Sequence, residues 1–336
     1  MLIWLHLTQQ KYIPIGSSHG RLAFSGDENN PDDPFLFCPF SGTRIRLPAT
    51  QTIPRIHYPQ FLPKLDKIVL CGNPSHDPNF TALAIHGAGV AFCRPGTDEI
   101  WSHLDTDIRT VYDVVCCDAT KTAFVLGPGP AIEAWDVGGA VPCKKSEILG
   151  DFCPEAVARA GERYPRDLYT TRWYLGRPEH GSEPGQLYIV VRYVGEFVRH
   201  DGEVVHEGDT LTDDAAEPLV CPYKTVGFEV FKYSDCDGRK WVVAGGLEGR
   251  AMFLGGNQTV MVEGEKGSLM MKDAIYFTDD YRERLDEDYC YGGHDNGVYV
   301  MEDGSVKQIG EGLEPKILPP PSWISAPSAS SFSLFS

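Results

Sequence analysis

The chain has 336 residues, of which 42% are hydrophobic and 23% charged, so it can bury a globular core without disulfide bonds. Its 47 acidic and 30 basic residues give a net charge of -17, which argues against nucleic acid and anionic membranes as partners, because both attract clustered Lys and Arg. The acidic excess favours solubility or a basic protein partner.

Short apolar runs separated by Gly, Pro, Asp and Asn follow one another from residue 16 onward. They are rich in Val, Ile, Phe, Tyr and Trp, which is typical of β-strands. In chain order, the predicted strands are 21–25, 35–40, 67–71, 81–86, 90–93, 100–104, 111–116, 122–126, 131–137, 187–194, 226–233, 240–244, 250–254, 274–277 and 297–301.

Helical signal is scarce. The best candidate is 154–163, where Pro154 stands at a plausible first position and Ala and Glu follow, although a loop insert is the alternative. Without helices between the strands, a parallel α/β sheet is not expected.

Closely spaced short strands over some 300 residues exceed one β-sandwich and favour a β-propeller. At roughly 40–50 residues a blade, six to eight blades are expected. Trp recurs on short strands in the segments 99–101, 133–136 and 239–241. We therefore expect an all-β fold with a short lead-in at 1–15, a propeller at 16–312 and a disordered Pro/Ser-rich tail at 313–336.

The ten cysteines form no C-x-x-C pair, and no signal peptide or apolar run long enough to span a membrane is visible. Together these features predict a cytoplasmic or nuclear protein with free thiols. No Walker or dinucleotide motif occurs, and no cofactor is expected.

Four motifs, in order, resemble the propeller of plant F-box proteins that carry domain of unknown function 295. They are GSSHGRLAF at 16–24, PFSGTRIRLP at 39–48, LEGRAMFLG at 247–255 and IYFTDD at 275–280, followed by GVYV at 297–300. The resemblance implies a propeller related to substrate-recognition domains of ubiquitin ligases. Family members commonly begin with a helical F-box that docks the Skp1 adaptor. Because 1–15 lacks that pattern, a Skp1-type adaptor is not an expected partner.

Several patterns invite a catalytic or metal-binding interpretation. Gly16-x-Ser18-x-Gly20 matches a nucleophile elbow, but a strand-like run follows where that motif needs a helix, so a turn is favoured. His103, Asp105 and Asp107 would share one face of a strand and form a metal site, or else belong to an Asp-rich turn. The segment 235–238 resembles half of a calcium loop but is better interpreted as a hairpin turn.

Carboxylate pairs are the basis for an alternative function. Asp279 with Asp280, or Glu133 with Asp136, would suit a carboxylate-based glycoside hydrolase, which needs two carboxyl groups across a sugar. Carboxylates after a strand also cap turns. The glycines of 127–130 alternate with Pro, which removes the N–H donors that a phosphate cradle needs.

The segment 279–291 (DDYRERLDEDYCY) is the most distinctive surface candidate, since it combines six acids, two arginines and three tyrosines. Tyr and Arg are enriched at binding hot spots, so the segment is a candidate recognition loop, with a solvated loop as the alternative. The candidate partner-binding residues are Asp279, Asp280, Tyr281, Arg282, Arg284 and Tyr289. The favoured function is a non-catalytic protein-interaction propeller with an unknown protein partner; a glycoside hydrolase and a folded paralogue without function are the alternatives.

Overall fold

The computed structural model describes residues 2–5, 14–26, 32–54, 64–87, 89–178, 186–210, 222–234, 240–263, 270–281, 293–309 and 320–325. Regular structure in these ranges is almost entirely β. The strands are β1 (Leu2–Leu5), β2 (Gly16–Ser18), β3 (Arg21–Phe24), β4 (Phe35–Phe37), β5 (Arg44–Arg46), β6 (Leu65–Cys71), β7 (Thr81–His86), β8 (Gly89–Cys93), β9 (Ser102–His103), β10 (Asp113–Cys117), β11 (Thr122–Leu126), β12 (Ile132–Asp136), β13 (Cys143–Ile148), β14 (Tyr169–Gly176), β15 (Tyr188–Gly195), β16 (Lys224–Ser234), β17 (Lys240–Val243), β18 (Arg250–Gly255), β19 (Gln258–Glu263), β20 (Ala274–Phe277), β21 (Gly297–Val300), β22 (Ser305–Gln308) and β23 (Ser322–Ser325).

Helix α1 (Pro154–Arg163) lies between β13 and β14, as predicted, with Pro154 in its first turn. Two short 3-10 turns occupy Thr50–Thr52 and Glu207–Thr210. Within the described ranges, no helix combines the length and the apolar character that crossing a bilayer requires.

The strands of the described ranges form five sheets of four or five strands and one two-stranded pair. Four sheets are meanders in chain order: β2 to β5, β6 to β9, β10 to β13 and β14 to β17. Each strand in them pairs antiparallel with the next. The fifth sheet has the order β19-β18-β20-β21-β22. These sheets are the blades of an all-β propeller.

The expected blade number of six to eight is wrong, because the strands of the described residues form five such sheets. The expected number came from dividing the chain length by the roughly 40–50 residues of an ordinary blade. The fourth sheet instead runs from Tyr169 to Val243, since long connections separate β14 from β15 and β15 from β16. The described residues of these connections consume sequence without adding a strand to the sheet.

The chain divides into two compact units, each built from separate stretches of sequence. Unit 1 contains 1–149, 254–259 and 318–336, and unit 2 contains 150–253 and 260–317. The predicted propeller segment 16–312 therefore contributes to both units.

The core of unit 1 lies on central strands that are buried on both faces. Every residue of β7, β8 and β11 is buried. Trp101, from one of the Trp segments, has no exposed surface, and its indole Nε1 donates to the Pro48 carbonyl at 2.8 Å. A buried indole needs such an acceptor, so Trp101 packs the core at no cost in unsatisfied donors.

The tail prediction is wrong at its centre. Ser322–Ser325 is strand β23, which pairs antiparallel with β1 in unit 1. Trp323 and Ile324 are buried, and Trp323 Nε1 donates to the Leu254 carbonyl at 2.9 Å. These two side chains supply the apolar surface that the surrounding Pro and Ser lack. The segments 313–319 and 326–336 lie outside the described residues.

Unit 2 is organised around β15, whose eight residues are all buried. Trp241, on β17, is also fully buried. In this sheet β17 is separated from β15 by β16. One residue of β15, Arg192, is charged although only 1% of it is exposed. A buried guanidinium requires counter-charges and acceptors. One of them, Asp280, lies in the predicted recognition segment, and another, Asp295, follows its end.

Candidate functional site

The segment 279–296 leaves the fifth sheet at the end of β20 and returns to it at the start of β21. These strands are antiparallel neighbours, with Phe277 opposite Gly297, so the segment departs and returns at adjacent points. We call the two ends together the loop base: Asp279, Asp280 and Tyr281 on one side, and His294, Asp295 and Asn296 on the other. The candidate residues Arg282, Arg284 and Tyr289 lie outside the described residues.

The two sides of the loop base are joined directly. The Asp279 main-chain N–H donates to Asn296 Oδ1 at 3.0 Å, and the Asp295 N–H donates to Asp279 Oδ2 at 3.2 Å. The Tyr281 N–H donates back to Asp279 Oδ1 at 3.1 Å, which is an Asx turn. Asp279 therefore forms the turn where the segment leaves β20 and also binds the backbone where the segment returns to β21.

The Arg192 side chain binds both sides of the loop base. Its Nη1 donates to the Thr278 carbonyl at 2.9 Å and to Asp280 Oδ1 at 3.1 Å. Its Nη2 donates to Asp295, to the carbonyl at 3.2 Å and to Oδ2 at 2.8 Å. Nε donates to Thr225 Oγ1 at 2.7 Å. All five guanidinium N–H groups thus have acceptors, and two carboxylates neutralise the charge.

Asp295 is the other centre of the network. Besides Arg192, it accepts hydrogen bonds from the N–H and hydroxyl of Thr225, the latter at 2.6 Å, and from Gln308 Nε2 at 3.2 Å. Burial by itself would raise the pKa of Asp295. The Arg192 charge and the Thr225 hydrogen bonds outweigh it and hold that pKa below its ordinary value. Asp295 is therefore a buried carboxylate that stays ionised.

Asp279 has the opposite electrostatic environment, although it is equally buried. Burial and the neighbouring Asp295 carboxylate raise the pKa of Asp279. The Tyr223 hydroxyl donates to Asp279 Oδ2 at 2.7 Å, and burial and the Asp279 charge raise the pKa of Tyr223 in turn. His294 Nδ1 lies 3.9 Å from the same oxygen.

Asp280 and Tyr281 extend the network toward the surface. Asp280 Oδ2 accepts the Tyr174 hydroxyl at 2.6 Å. The Tyr281 hydroxyl donates to Glu196 Oε1 at 2.7 Å, and the Arg172 guanidinium lies 4.7 Å from the centre of the Tyr281 ring. Both residues are partly exposed, whereas Asp279 is only 2% exposed. The Asp279 side chain therefore supports this segment from inside.

These carboxylates are occupied by internal contacts. A glycoside hydrolase needs two carboxyl groups on opposite sides of an accessible sugar. Asp279 is buried and Asp280 is partly exposed, and their oxygens accept hydrogen bonds from Tyr223, Tyr174 and Arg192 of the chain itself. Glu133 and Asp136 are three positions apart on β12, so they point to opposite faces, and Glu133 is buried. Glu133 also accepts hydrogen bonds from Thr106 and Trp135, so both candidate pairs are engaged in contacts within the chain.

The strand face that a metal site of His103, Asp105 and Asp107 would need is not formed. Strand β9 ends at His103, before either aspartate, so the three residues do not share a strand face. Asp107 instead joins Glu133 and Glu147, whose oxygens would suit a metal ion. The Lys144 ammonium lies among them, 2.9 Å from Asp107 and 3.0 Å from Glu133. Contacts with Glu147, Asp107 and Glu133 raise the pKa of Lys144, so the chain supplies its own cation there.

The remaining motifs form turns where the structure describes them. Ser18 ends β2, and His19 and Gly20, both at positive φ, turn the chain into β3. This agrees with the turn interpretation and lacks the helix of a nucleophile elbow. The segment 127–130 is also a turn, in which the Gly127 N–H donates to the Ala131 carbonyl at 2.8 Å. The hairpin predicted at 235–238 lies outside the described residues.

The sequence pattern indicated the 279–281 side of the loop base but not the 294–296 side. Asp279, Asp280 and Tyr281 were predicted, and the structure brings them together with Arg192, Tyr223, Thr225 and Asp295. The signal for Arg192 was present in the sequence. It is a single charge within the apolar run YIVVRYVG, and a charge on a fully buried strand must be paired.

Comparison with known proteins gives faint structural likenesses and one family match. The N-terminal domain of Nup159 shares 12% identity at a TM-score of 0.34 over 89% of this chain. An S. cerevisiae complex of Dbp5 with Nup159, Gle1, IP6 and ADP shares 11% at 0.34 over 77%, and the Myceliophteria thermophila Cps50 (Swd1) β-propeller domain shares 10% at 0.36 over 87%. This chain spans 62%, 66% and 68% of those chains, respectively. No curated protein matches the sequence.

The family model of the KIB1-4 β-propeller matches residues 5–300. That range covers every strand from β2 to β21 and includes all four sequence motifs. The match agrees with the antiparallel blades, and the chain belongs to the KIB1-4 β-propeller family.

Proposed function

We propose that this chain is a non-catalytic protein-interaction propeller and that the loop 279–291 makes the contact with its partner. The observation that carries the proposal is the loop base, where a buried network in unit 2 ties together both ends of one segment. Binding residues are often found on loops that a rigid scaffold positions. The charged network provides such a scaffold.

The composition of the loop supports a protein as the partner. Between the two sides of the base, the sequence contains Arg282, Arg284, Tyr289 and Tyr291 among four acids. Tyr and Arg contribute large contact areas and directed hydrogen bonds at binding hot spots. The motif resemblance to propellers of plant F-box proteins supports a recognition role of the kind those substrate receptors have. A Skp1-type adaptor is not part of the proposal.

Affinity purification with a matched loop control tests the proposal. One variant replaces 282–292 by a Gly/Ser linker of equal length and keeps the whole loop base. The control replaces 211–221, another acidic segment of unit 2, in the same way. We expect the wild-type chain and the control to retain a shared set of partners that the 282–292 variant loses.

Two outcomes would contradict the proposal. If the 282–292 variant retained the same partners, the contact would lie elsewhere on the chain. If none of the three forms retained a partner above a tag-only column, the folded paralogue without function would be favoured. A triple variant, Arg282→Ala with Arg284→Ala and Tyr289→Ala, separates these side chains from the rest of the loop.

A further inference from the structure

A groove in unit 1 lies between the second and third sheets, and no residue of the loop base lines it. Its walls come from the end of β8, from the 94–100 turn and from the 139–142 turn that precedes β13. Its volume is about 600 Å³, within the range of ligand-sized clefts. Two residues of the His103, Asp105 and Asp107 motif, His103 and Asp105, are among its lining residues.

Two large aliphatic side chains are exposed in this groove. Ile100 is 58% exposed and Val141 is 78% exposed. Behind them, the groove is lined by Phe92 and Trp135, which are almost fully buried. A single exposed aliphatic residue needs no explanation, but two of them in one cleft that aromatic rings also line form an apolar surface that a partner can cover.

The wall of the groove is held by Arg94. Its guanidinium donates to the Ala140 carbonyl at 3.1 Å and also to the Gly139 carbonyl. Its main-chain N–H donates to Asp98 Oδ2 at 2.7 Å. These contacts join the 94–100 turn to the 139–142 turn, so the two walls that carry Ile100 and Val141 are tied to each other.

The charge of the groove indicates the kind of occupant. Among the described lining residues, Asp98, Glu99 and Asp105 are carboxylates, and Arg94 is the permanently charged cation. The lining is thus net negative on a chain whose net charge is -17. A second copy of this chain would bring a further net charge of -17, which disfavours self-association through this surface.

We propose that this groove binds an extended segment of a partner protein in which an apolar side chain is flanked by Lys or Arg. The apolar side chain packs against Ile100 and Val141, and the basic side chains pair with Glu99 and Asp105 at the rim. This surface is distinct from the loop 279–291, and the proposal does not depend on the function proposed for that loop.

A random nonapeptide library displayed on phage is the probe, selected on the immobilised full chain. We expect enriched peptides to combine an aliphatic or aromatic residue with Lys or Arg. In fluorescence polarisation with the best peptide, Ile100→Ser with Val141→Ser should weaken binding roughly tenfold or more, since two apolar contacts are lost. Glu99→Gln with Asp105→Asn should weaken binding at low salt and reduce its salt dependence.

Matched controls test whether the loss of any exposed apolar side chain weakens peptide binding. Leu149→Ser and Val157→Ser change residues that are 57% and 52% exposed outside the groove, and they should leave peptide affinity unchanged. Urea unfolding of each variant checks that it folds; both groove side chains are exposed, so wild-type midpoints are expected.

Each of the following results would overturn the proposal. The selection could enrich no peptide above a protein-free surface, or enrich peptides without basic residues. The Ile100/Val141 variant could bind with wild-type affinity. Loss of peptide binding on replacement of 282–292 alone would assign the peptide to that loop.

The opposite result would support the groove: the 282–292 variant would retain peptide binding, and the Ile100/Val141 variant would lose it.

Discussion

Arg192 donates five hydrogen bonds, three of them to the loop base, which makes it the most informative single residue to replace. Arg192→Met would leave Asp280 and Asp295 without the guanidinium that neutralises them. We predict that the free energy of unfolding falls by about 3–5 kcal/mol, as for a buried ion pair that loses one partner. Urea unfolding measures this change.

A matched arginine in the same unit provides the control. Arg166 is exposed, so Arg166→Met should change the free energy of unfolding by less than about 0.5 kcal/mol. Arg192→Lys should be intermediate, because one ammonium cannot replace the fork of five N–H groups. Equal stability of Arg192→Met and the wild type would show that the network does not stabilise unit 2.

Glu133 makes stability depend on pH. Burial alone would raise the pKa of Glu133, but hydrogen bonds from Thr106, Lys144 and Trp135 outweigh it and hold that pKa below its ordinary value of 4.5. The unfolded chain then binds this proton more readily than the folded chain. The stability that Glu133 contributes is complete above about pH 4.5 and is lost as the pH falls toward the lower folded-state pKa.

Unfolding midpoints measured between pH 7 and pH 3 test this. Glu133→Gln should lower stability at pH 7 and flatten its decline below pH 4.5. Glu162→Gln, at an exposed position of α1, should follow the wild-type profile. A Glu133→Gln profile parallel to the wild type would remove Glu133 as a source of the acid sensitivity.

Some residues of the candidate site could be predicted from the sequence because charged residues are unusual next to an apolar strand. Asp279 and Asp280 stand out because they follow an apolar strand, and their turn is local. Their partner Arg192 is separated from Asp280 by 88 positions and from Asp295 by 103. Local patterns show that Arg192 needs a counter-charge, but pairing over such separations depends on the arrangement of strands in the sheets.

Strands β6 and β10 of unit 1 are linked by a buried ion pair. Lys67 Nζ lies 2.6 Å from Asp113 Oδ1, and both side chains are at most 10% exposed. Lys67→Met leaves a buried carboxylate, so we predict a loss of about 3–5 kcal/mol in the free energy of unfolding. The double variant Lys67→Met with Asp113→Leu should lose less than the sum of the single variants. Additive losses in urea unfolding would mean that the two charges do not interact.

Strand β23 is predicted to stabilise unit 1 despite the composition around it. Trp323→Ala removes a buried ring and its hydrogen bond to Leu254, with an expected loss of about 3–5 kcal/mol. Leu149→Ala, at an exposed position, should have little effect. If removal of 319–336 left the unfolding midpoint of the chain unchanged, β23 would not contribute to stability.

Sequence predicted the central elements better than the outer ones. The bounds expected for β7, β11, β20 and α1 agree with the structure, because the strands are continuous apolar runs and the helix begins with Pro. Strand β13, CKKSEI, is an outer strand with exposed side chains and was not predicted. Outer strands of this kind carry charges at an open sheet edge and therefore lack the apolar pattern of a strand.

For the molecule as a whole, strand-rich composition and motif order were sufficient for the fold class but not for the blade number. The long connections around β15 have no strand pattern, and only the sheet pairing shows that they belong to one blade. The net charge of -17 is consistent with both docking proposals, since Lys and Arg on a partner would pair with the groove or with the acids of the loop.

Photo-crosslinking from position 289 tests the central claim most directly. Tyr289 is replaced by p-benzoylphenylalanine in one variant and Leu149 in a control, and each is irradiated in an extract of cells that express the chain. We predict that position 289 forms a covalent adduct with a protein that the 282–292 linker variant fails to retain, and that position 149 does not. Adducts from position 149 alone, or the same adducts from both positions, would contradict recognition through this loop.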